Sequence, residues 1–522
     1  MHLAVVHYHY RPGGVRRVIE TALPAFIASE RLRIDGVTLV SGEKPDLLWL
    51  GQLERAIAPT KLSVFTDASL GYYAELKNRR RKTVGKRIHA ALDRLLKNIP
   101  TGRLVIWAHN MGLGRNTILS LELQRLSVRR NTSLVLHHHD WWFDNRWGRW
   151  AAARDEGFTL MDMAKAVFPL APARVQHVTI NTSDASHFDE GEGSPAAWMP
   201  NPLGERPSFA EPECEKVRRW LCEKTGHCGP FWLLPSRLLR RKNVAEALLL
   251  TRWLRPSAAL VTTAGASSAD ETNYARRLGT ASLKHAWPLH LGVLSQNPGK
   301  CPSVGSLIAA SEAVMLCSLQ EGFGLPLLEA TAWKKPLIAR RLNNVFPDLS
   351  KLGFEFPQVY DELWIDTALF DERAELERQK GMFSGWKMEL PPAYRKLAGK
   401  KDWRRWERGR CLMPFSRLSL EGQLETLSNR ADTSWALCAP FNPLLRQWRI
   451  LASKGLLRHT PWRASATERL CAEVYAERFA SILRKKTGAV SSAKAALRIQ
   501  DGFVAERLRP ENQYPLLWSR CE

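Results

Sequence analysis

Long apolar runs are absent from this chain. No stretch of its 522 residues approaches the roughly eighteen uncharged apolar residues of a membrane-spanning helix, so none is expected. Cysteine is scarce, nine in all with no paired spacing, which excludes a small disulfide-framed scaffold. Cys214, Cys222 and Cys228 beside His227 fit no usual zinc spacing, and reduced thiols are expected instead. The amino-terminal apolar run is short and breaks into His7, Tyr8, His9 and Tyr10. It does not read as a secretory signal, and a cytoplasmic chain is expected. Gly13 and Gly14, which follow, lack the spacing of a dinucleotide fingerprint, so a nicotinamide cofactor is disfavoured.

Acidic residues are in deficit: 52 Asp and Glu against 76 Lys and Arg leave a net charge of +24. Residues 77–97 hold nine basic side chains against Asp93 alone, and their second half has helical apolar spacing. Residues 395–410 hold eight basic side chains against Asp402 and Glu407, with Trp403 and Trp406 among them. Such faces suit an anionic membrane surface, so peripheral contact at the inner face of a membrane is one reading and a generally solvated basic surface the other. Nucleic acid would be attracted by the same charge, but no recognised binding motif accompanies it, and none is expected as a partner.

What the chain does have is a repeated strand–helix rhythm. Near-continuous apolar runs predict strands at 3–9, 37–40, 62–65, 104–108, 134–138 and 177–180. A second set is predicted at 231–234, 259–263, 290–293, 313–317 and 336–339. Runs without alternation indicate parallel strands covered on both faces, and ligands bind past the carboxyl ends of such strands. The chain is too long for one core, so two or three domains are expected.

Four loops past predicted strands carry chemistry. The first is Glu321, Gly322, Phe323, Gly324, Leu325 and Pro326, running into a helix that contains Glu329. Glycines let the backbone approach a ligand, proline suits a first helical turn, and exposed N–H groups beside two carboxylates suit a ligand with anionic and hydroxyl groups. Taken alone, the segment also fits an ordinary strand–turn–helix with surface glutamates. The second loop holds Arg237 and Lys242, followed by Asn243 as a predicted N-cap with Glu246 three residues on. Arg240 and Arg241 are expected to be solvated. The third is the Gly13–Gly14 pair, where Gly13 serves equally as a tight turn of positive φ. The fourth is His137, His138 and His139 before Asp140, with His109 ending a similar strand. A metal at the three consecutive histidines is disfavoured, because successive strand residues point to opposite faces.

The segment from Glu321 to Glu329, continued by Ala330, Ala332 and Pro336, resembles the donor-site motif of retaining glycosyltransferases of family 4. The resemblance covers roughly residues 1–342 with gaps and is diffuse beyond. It implies the GT-B fold: α/β, two Rossmann-like parallel-sheet domains facing across a cleft, with a C-terminal helical elaboration. Residues 1–202 would be the acceptor-side domain, 203–228 a linker, and 229–357 the nucleotide-sugar domain. Residues 358–522 would be a Trp- and Arg-rich insertion with C-terminal helices partly completing the fold.

The implied activity is retaining transfer of a sugar, a hexosyl group first, from a nucleoside-diphosphate donor to an acceptor hydroxyl in glycan, lipopolysaccharide or other glycoconjugate synthesis. By the resemblance, Glu321 faces the donor sugar, Glu329 binds the ribose, and Arg237 and Lys242 hold the diphosphate. Gly322, Phe323, Gly324 and Leu325 complete the donor site, His139 touches the sugar near the reacting centre, and Gly13, Gly14 and His109 line the donor and acceptor cleft. No cofactor and no metal are implied, and the acceptor would be a glycan, a lipid-linked sugar or a small molecule. Cys317 replaces a frequent proline, Glu312 sits near a usual aspartate, and Trp333–Lys334 replaces a small pair, which leaves donor identity open. A phosphorylase or epimerase of the same fold, and a non-catalytic nucleotide-sugar or polyanion binder, are the alternatives.

Overall fold

The computed structural model describes residues 1–76, 80–97, 99, 103–169, 174–189, 195–204, 211–266, 269–295, 301–485 and 492–518. Residues 77–79 of the basic run and 205–210 of the expected linker lie outside these. The chain divides into two compact units. Unit 1 comprises Met1–Gly204, Glu389–Leu397 and Thr467–Arg509; unit 2 comprises Glu205–Met388, Ala398–Ala466 and Pro510–Glu522.

Unit 1 is built on a seven-stranded sheet of β1 (His2–Val6), β2 (Gly36–Ser41), β3 (Lys61–Thr66), β4 (Leu104–His109), β5 (Ser133–His138), β6 (Val175–Thr179) and β7 (Ala197–Trp198). The order is β3-β2-β1-β4-β5-β6-β7, every pair parallel. The central strand shows why the apolar runs are unbroken. Leu3 and Val5 pack with Val18, Ile19 and Phe26 of helix Gly14–Ala28, while Ala4 and Val6 pack on the opposite face with Val84, Ile88 and Leu123. Helix Ala472–Arg484 returns to this unit, stacking Phe479 on Phe26 with ring centroids 4.5 Å apart.

Unit 2 holds a six-stranded sheet of β8 (Phe231–Leu234), β9 (Ala259–Thr262), β10 (Leu289–His290), β11 (Ala313–Leu316), β12 (Leu337–Arg340) and β13 (Gln358–Tyr360). Its order is β10-β9-β8-β11-β12-β13, again parallel throughout. A three-stranded antiparallel sheet follows, formed by Trp364–Asp366, Arg405–Glu407 and Arg410–Pro414. Both parallel sheets reverse their strand order beside the first strand, between β1 and β4 and between β8 and β11. Ligands bind at such reversals, outside the carboxyl ends.

Three expectations are corrected. Asn243 does not cap its helix: it adopts a left-handed conformation, φ 50, and its side-chain amide donates to Glu246 at 2.9 Å. Glu246 is fully buried and taken up by the Arg340 guanidinium and the Tyr360 hydroxyl, tying β12 and β13 to helix Val244–Leu254. Gly13 is extended, φ 163, so no tight turn of positive φ forms there. Cys222 and Cys228 are joined by a disulfide, contrary to the expectation of reduced thiols. The left-handed Gly226, φ 72, folds the chain back and brings their Cα atoms to 4.5 Å. No helix of the described residues is long and apolar enough to cross a membrane.

Candidate active site

In unit 2, the loops past β8 and β11 meet. The chain leaves β8, forms a 3-10 turn at Arg240–Lys242 and enters helix Val244–Leu254. The loop past β11 carries Glu321, followed by Gly324 in a left-handed conformation, φ 76, which starts helix Leu325–Ala332. A Cβ on Gly324 would lie 2.9 Å from Leu327 Cδ1, so both backbone and space require glycine there. Phe323 is buried beside it, while Gly322, Leu325 and Glu329 are half-buried.

The Glu321 carboxylate, 10% exposed, accepts from Lys242 Nζ on one oxygen. Its other oxygen accepts from Arg241 Nη1 at 3.2 Å, and the same guanidinium nitrogen donates to the Gln320 carbonyl at 2.8 Å. Asn344 fixes the loop from the other side, donating to the Glu321 carbonyl at 2.6 Å. Burial alone would push the Glu321 carboxyl up, but the charges of Lys242 and Arg241 win and hold it down at about 2. One carboxylate thus faces two cations. The surplus positive charge suits an anionic ligand, and the carboxylate suits a hydroxyl donor beside it.

Arg241 was expected to be solvated and instead belongs to this cluster. Arg237 stands further out: its side chain is 53% exposed, with Nη1 3.7 Å from Glu271 Oε1 on helix Ala269–Lys284.

In unit 1, histidines gather at the carboxyl ends of β1, β4 and β5. His109 and His137 are paired residues of β4 and β5, and His139 lies two positions beyond His137 on the same face. The alternation that separates His137 from His138 therefore unites it with His139. His109, His137 and His139 place ligating atoms within 4.8 Å of one another, and among the described residues this group could hold a metal ion. Neutral imidazoles suit zinc, copper or nickel, yet His109 Nδ1 and His139 Nε2 already share a hydrogen bond of 3.1 Å. His138 points the other way and pairs with His177 at 3.0 Å.

Asn110, left-handed at φ 59, braces the end of β5: its side-chain oxygen accepts from the His139 and Asp140 amides at 2.9 and 3.1 Å. Burial pushes the His139 imidazole down to about 4, against a smaller upward pull from Asp140, so it is neutral near pH 7. A neutral imidazole can donate or accept a hydrogen bond to a sugar hydroxyl without adding charge. Gly13 and Gly14 open helix Gly14–Ala28 past β1, and a Cβ on Gly14 would meet nothing within 4 Å. Sequence reasoning assigned Arg241 to solvent and passed over Asn110, since each acts on a residue far along the chain.

The comparisons with known proteins agree on the architecture. Anabaena HepE in complex with UDP-glucose superposes with a TM-score of 0.52 at 13% identity, covering 92% of this chain and 98% of that one. An E. coli trehalose-6-phosphate structure bound with UDP-2-fluoro glucose gives a TM-score of 0.51 at 12% identity, covering 93% of this chain and 100% of that one. The fold is GT-B. By sequence, the chain is similar to a mannosylglucosyl-3-phosphoglycerate synthase of Petrotoga mobilis, 23% identical over 376 residues, 67% of this chain and 68% of that one. It is also similar to a mannosylglucosylglycerate synthase of Thermotoga maritima, 25% identical over 290 residues, 51% of this chain and 63% of that protein. No protein-family model matches the chain.

Proposed function

We propose that this GT-B chain is a retaining glycosyltransferase that moves a hexosyl group from a nucleoside-diphosphate donor to the hydroxyl of a glycoconjugate or small glycoside acceptor. The observation that carries the reading is the half-buried Glu321–Lys242–Arg241 cluster at the strand-order reversal of unit 2. It is supported by relatives named as mannosylglucosyl-glycerate and -phosphoglycerate synthases and by fold neighbours bound to UDP-glucose and UDP-2-fluoro glucose.

In this reading unit 2 binds the donor. Lys242 and Arg241, with Arg237 at the rim, neutralise the diphosphate as the glycosidic bond breaks, because fixed cations are worth most where charge develops. Glu321 orients the donor sugar through its hydroxyls, and Glu329 takes the ribose. In unit 1, neutral His139 contacts the sugar. The departing phosphate oxygen accepts the acceptor hydroxyl proton on the face from which it leaves, so the configuration is retained and no separate general base is needed. No metal enters the reaction, since the lysine and arginines supply the counter-charge.

The test is a melting-temperature screen of the full chain against nucleoside diphosphates and their sugars, followed by product analysis with the stabilising donor. A ligand that binds only the folded state raises stability by about 2.7 kcal/mol at a hundredfold excess over Kd. Stabilisation by a nucleotide sugar, transfer with retained anomeric configuration and undiminished activity in chelator are expected. Inverted product or chelator-sensitive turnover would overturn the corresponding part, and no stabilisation by any nucleotide would overturn the whole.

A further inference from the structure

A second charged feature lies in unit 1, at the carboxyl ends of β4 and β5. Arg115 follows the 3-10 turn Met111–Leu113 past β4, and Arg149 stands in the first turn of helix Gly148–Asp155 past β5. The Nε atoms of both are buried without a hydrogen-bond partner, and among the described residues neither side chain forms an ion pair. Neighbouring cations behave otherwise: Arg146 bonds Asp140 at 3.1 Å, and Arg11 pairs with Glu43.

Burial, followed by the charges of Arg115 and Arg146, pushes the Arg149 guanidinium down to about 10, a sign that like charges crowd there; Glu75 exerts only a smaller pull on Arg115 and pairs with neither guanidinium. Leaving desolvated cations uncompensated is costly, and an anionic ligand removes the cost. Guanidinium forks match the oxygens of phosphate and carboxylate.

The surroundings are built to hold this arrangement. Arg115 lies over the Tyr72 ring, 4.4 Å from its centroid, and its carbonyl accepts from the Tyr73 amide at 2.9 Å. Tyr72 Oη and His9 Nε2 are 2.8 Å apart. Gly114, left-handed at φ 66, lets the loop press on Trp142, where a Cβ would come to 3.0 Å. Asn116 ties the following turn to the carbonyls of Ser69 and Gly71 at 3.0 and 2.9 Å. The same stretch supports the candidate active site, because the Asn110 carbonyl accepts from Tyr8 Oη at 3.3 Å while its side chain holds the His139 amide.

We infer that Arg115 and Arg149, with Tyr72 and His9 beside them, form an anion subsite that takes a phosphate or carboxylate group of the acceptor. This rests on the glycosyltransferase reading for the word acceptor, while the anion site itself stands on the geometry of unit 1. It narrows the acceptor to a small hydroxyl compound bearing an anionic group, presented at the strand ends that also carry His139.

The experiment compares the full chain with Arg115→Gln, Arg149→Gln and the double variant. Melting temperature is followed against glycerol, glycerate, glycerol 3-phosphate and 3-phosphoglycerate at matched ionic strength, with a nucleoside diphosphate in a parallel arm. Anionic members should stabilise the wild type and glycerol should not; which member acts separates carboxylate from phosphate recognition. Each substitution should weaken that binding about tenfold or more, as loss of a charge-assisted hydrogen bond does, while nucleoside-diphosphate binding stays intact. Without ligand, the variants should melt no lower than the wild type, because a repelling charge has been removed; arginines that served only the fold would give lower melting. Stabilisation that survives both substitutions, or wild type indifferent to every anionic member, overturns the subsite. Loss of nucleotide stabilisation in the wild type overturns the donor reading and leaves the subsite standing.

Discussion

At the scale of single residues, the decisive feature is one half-buried carboxylate between two cations. Truncating Lys242 or Arg241 to alanine should each remove about 2–4 kcal/mol of transition-state stabilisation, read as a fall in kcat/KM with a nucleotide-sugar donor. Arg237→Ala should cost less than either, because that side chain is half exposed and paired at 3.7 Å with Glu271. Equal losses at all three positions would show that the rim arginine moves inward when donor binds. The two glutamates should separate. Glu321→Gln should mainly lower kcat, while Glu329→Gln should mainly weaken binding of free nucleoside diphosphate. Lys242→Ala should also shift acid stability. The Glu321 carboxylate contributes stability that is present above its unfolded pKa and is lost as pH falls toward about 2. With Lys242 gone the folded value rises toward the unfolded one, so that loss should shrink and end at higher pH, visible in urea midpoints measured between pH 5 and 3.

At the scale of elements, the histidine-rich ends of β1, β5 and β6 predict acid lability. Burial lowers His139 from its ordinary 6.5 to about 4, and His7 and His177 to about 3. Folded, these rings stay neutral where the unfolded chain takes up protons. Their contribution is therefore complete above about pH 6.5 and is lost progressively as pH falls toward 4 and then 3. Each histidine adds a slope of up to about 1.4 kcal/mol per pH unit in that window. Unfolding midpoints at pH 7.5, 6 and 5 should fall steadily, and His177→Gln should flatten the dependence. A stability profile flat from pH 7.5 to 5 would mean that these rings are solvated or already charged.

The same elements show where pattern reading works. Ten of the eleven predicted strands form, because unbroken apolar runs leave the backbone little choice once both faces are covered; the run predicted at 290–293 meets β10 only at His290. The short β7 and β13 were not predicted, since two or three residues give no pattern, and neither was the antiparallel sheet around Arg410–Pro414. Arg240 and Arg241 looked like a solvated basic helix start beside the expected ligand-binding Lys242. Only the loop past β11, 80 positions along at Glu321, turns Arg241 inward.

At the scale of the whole molecule, the charge of +24 remains to be used. Helix Arg81–Lys97 exposes Lys82, Lys86 and Arg87, whereas Arg81 packs over the Phe158 ring, 3.9 Å from its centroid. If the basic face meets an anionic membrane, each exposed Lys or Arg adds roughly 1 kcal/mol to the attraction. Serine at Arg80, Lys82, Lys86 and Arg87 should then weaken binding to phosphatidylserine vesicles without changing nucleotide affinity. The binding should fade with salt, since screening acts over about 10 Å at 0.1 M. Equal vesicle binding by variant and wild type would assign the charge to a solvated surface.

The sequence alone determined the alternating strands and helices and the loops that carry polar groups past the strand ends. Those properties are local, set by apolar period, glycine and proline. It also carried Glu321, Lys242, Glu329 and His139 as candidates, since each sits in or beside a motif. Strand order decided the rest. Placing β4 beside β5 brought His109 onto His139, thirty residues apart, and made one imidazole cluster of what read as separate strand ends. Placing β8 beside β11 closed Lys242 and Arg241 onto Glu321. The return of residues 467–509 to unit 1, and the crowding of Arg115 and Arg149 with no ion pair to either among the described residues, are likewise tertiary facts. Contacts between residues this distant depend on which strands pair, and apolar periodicity carries no information about pairing.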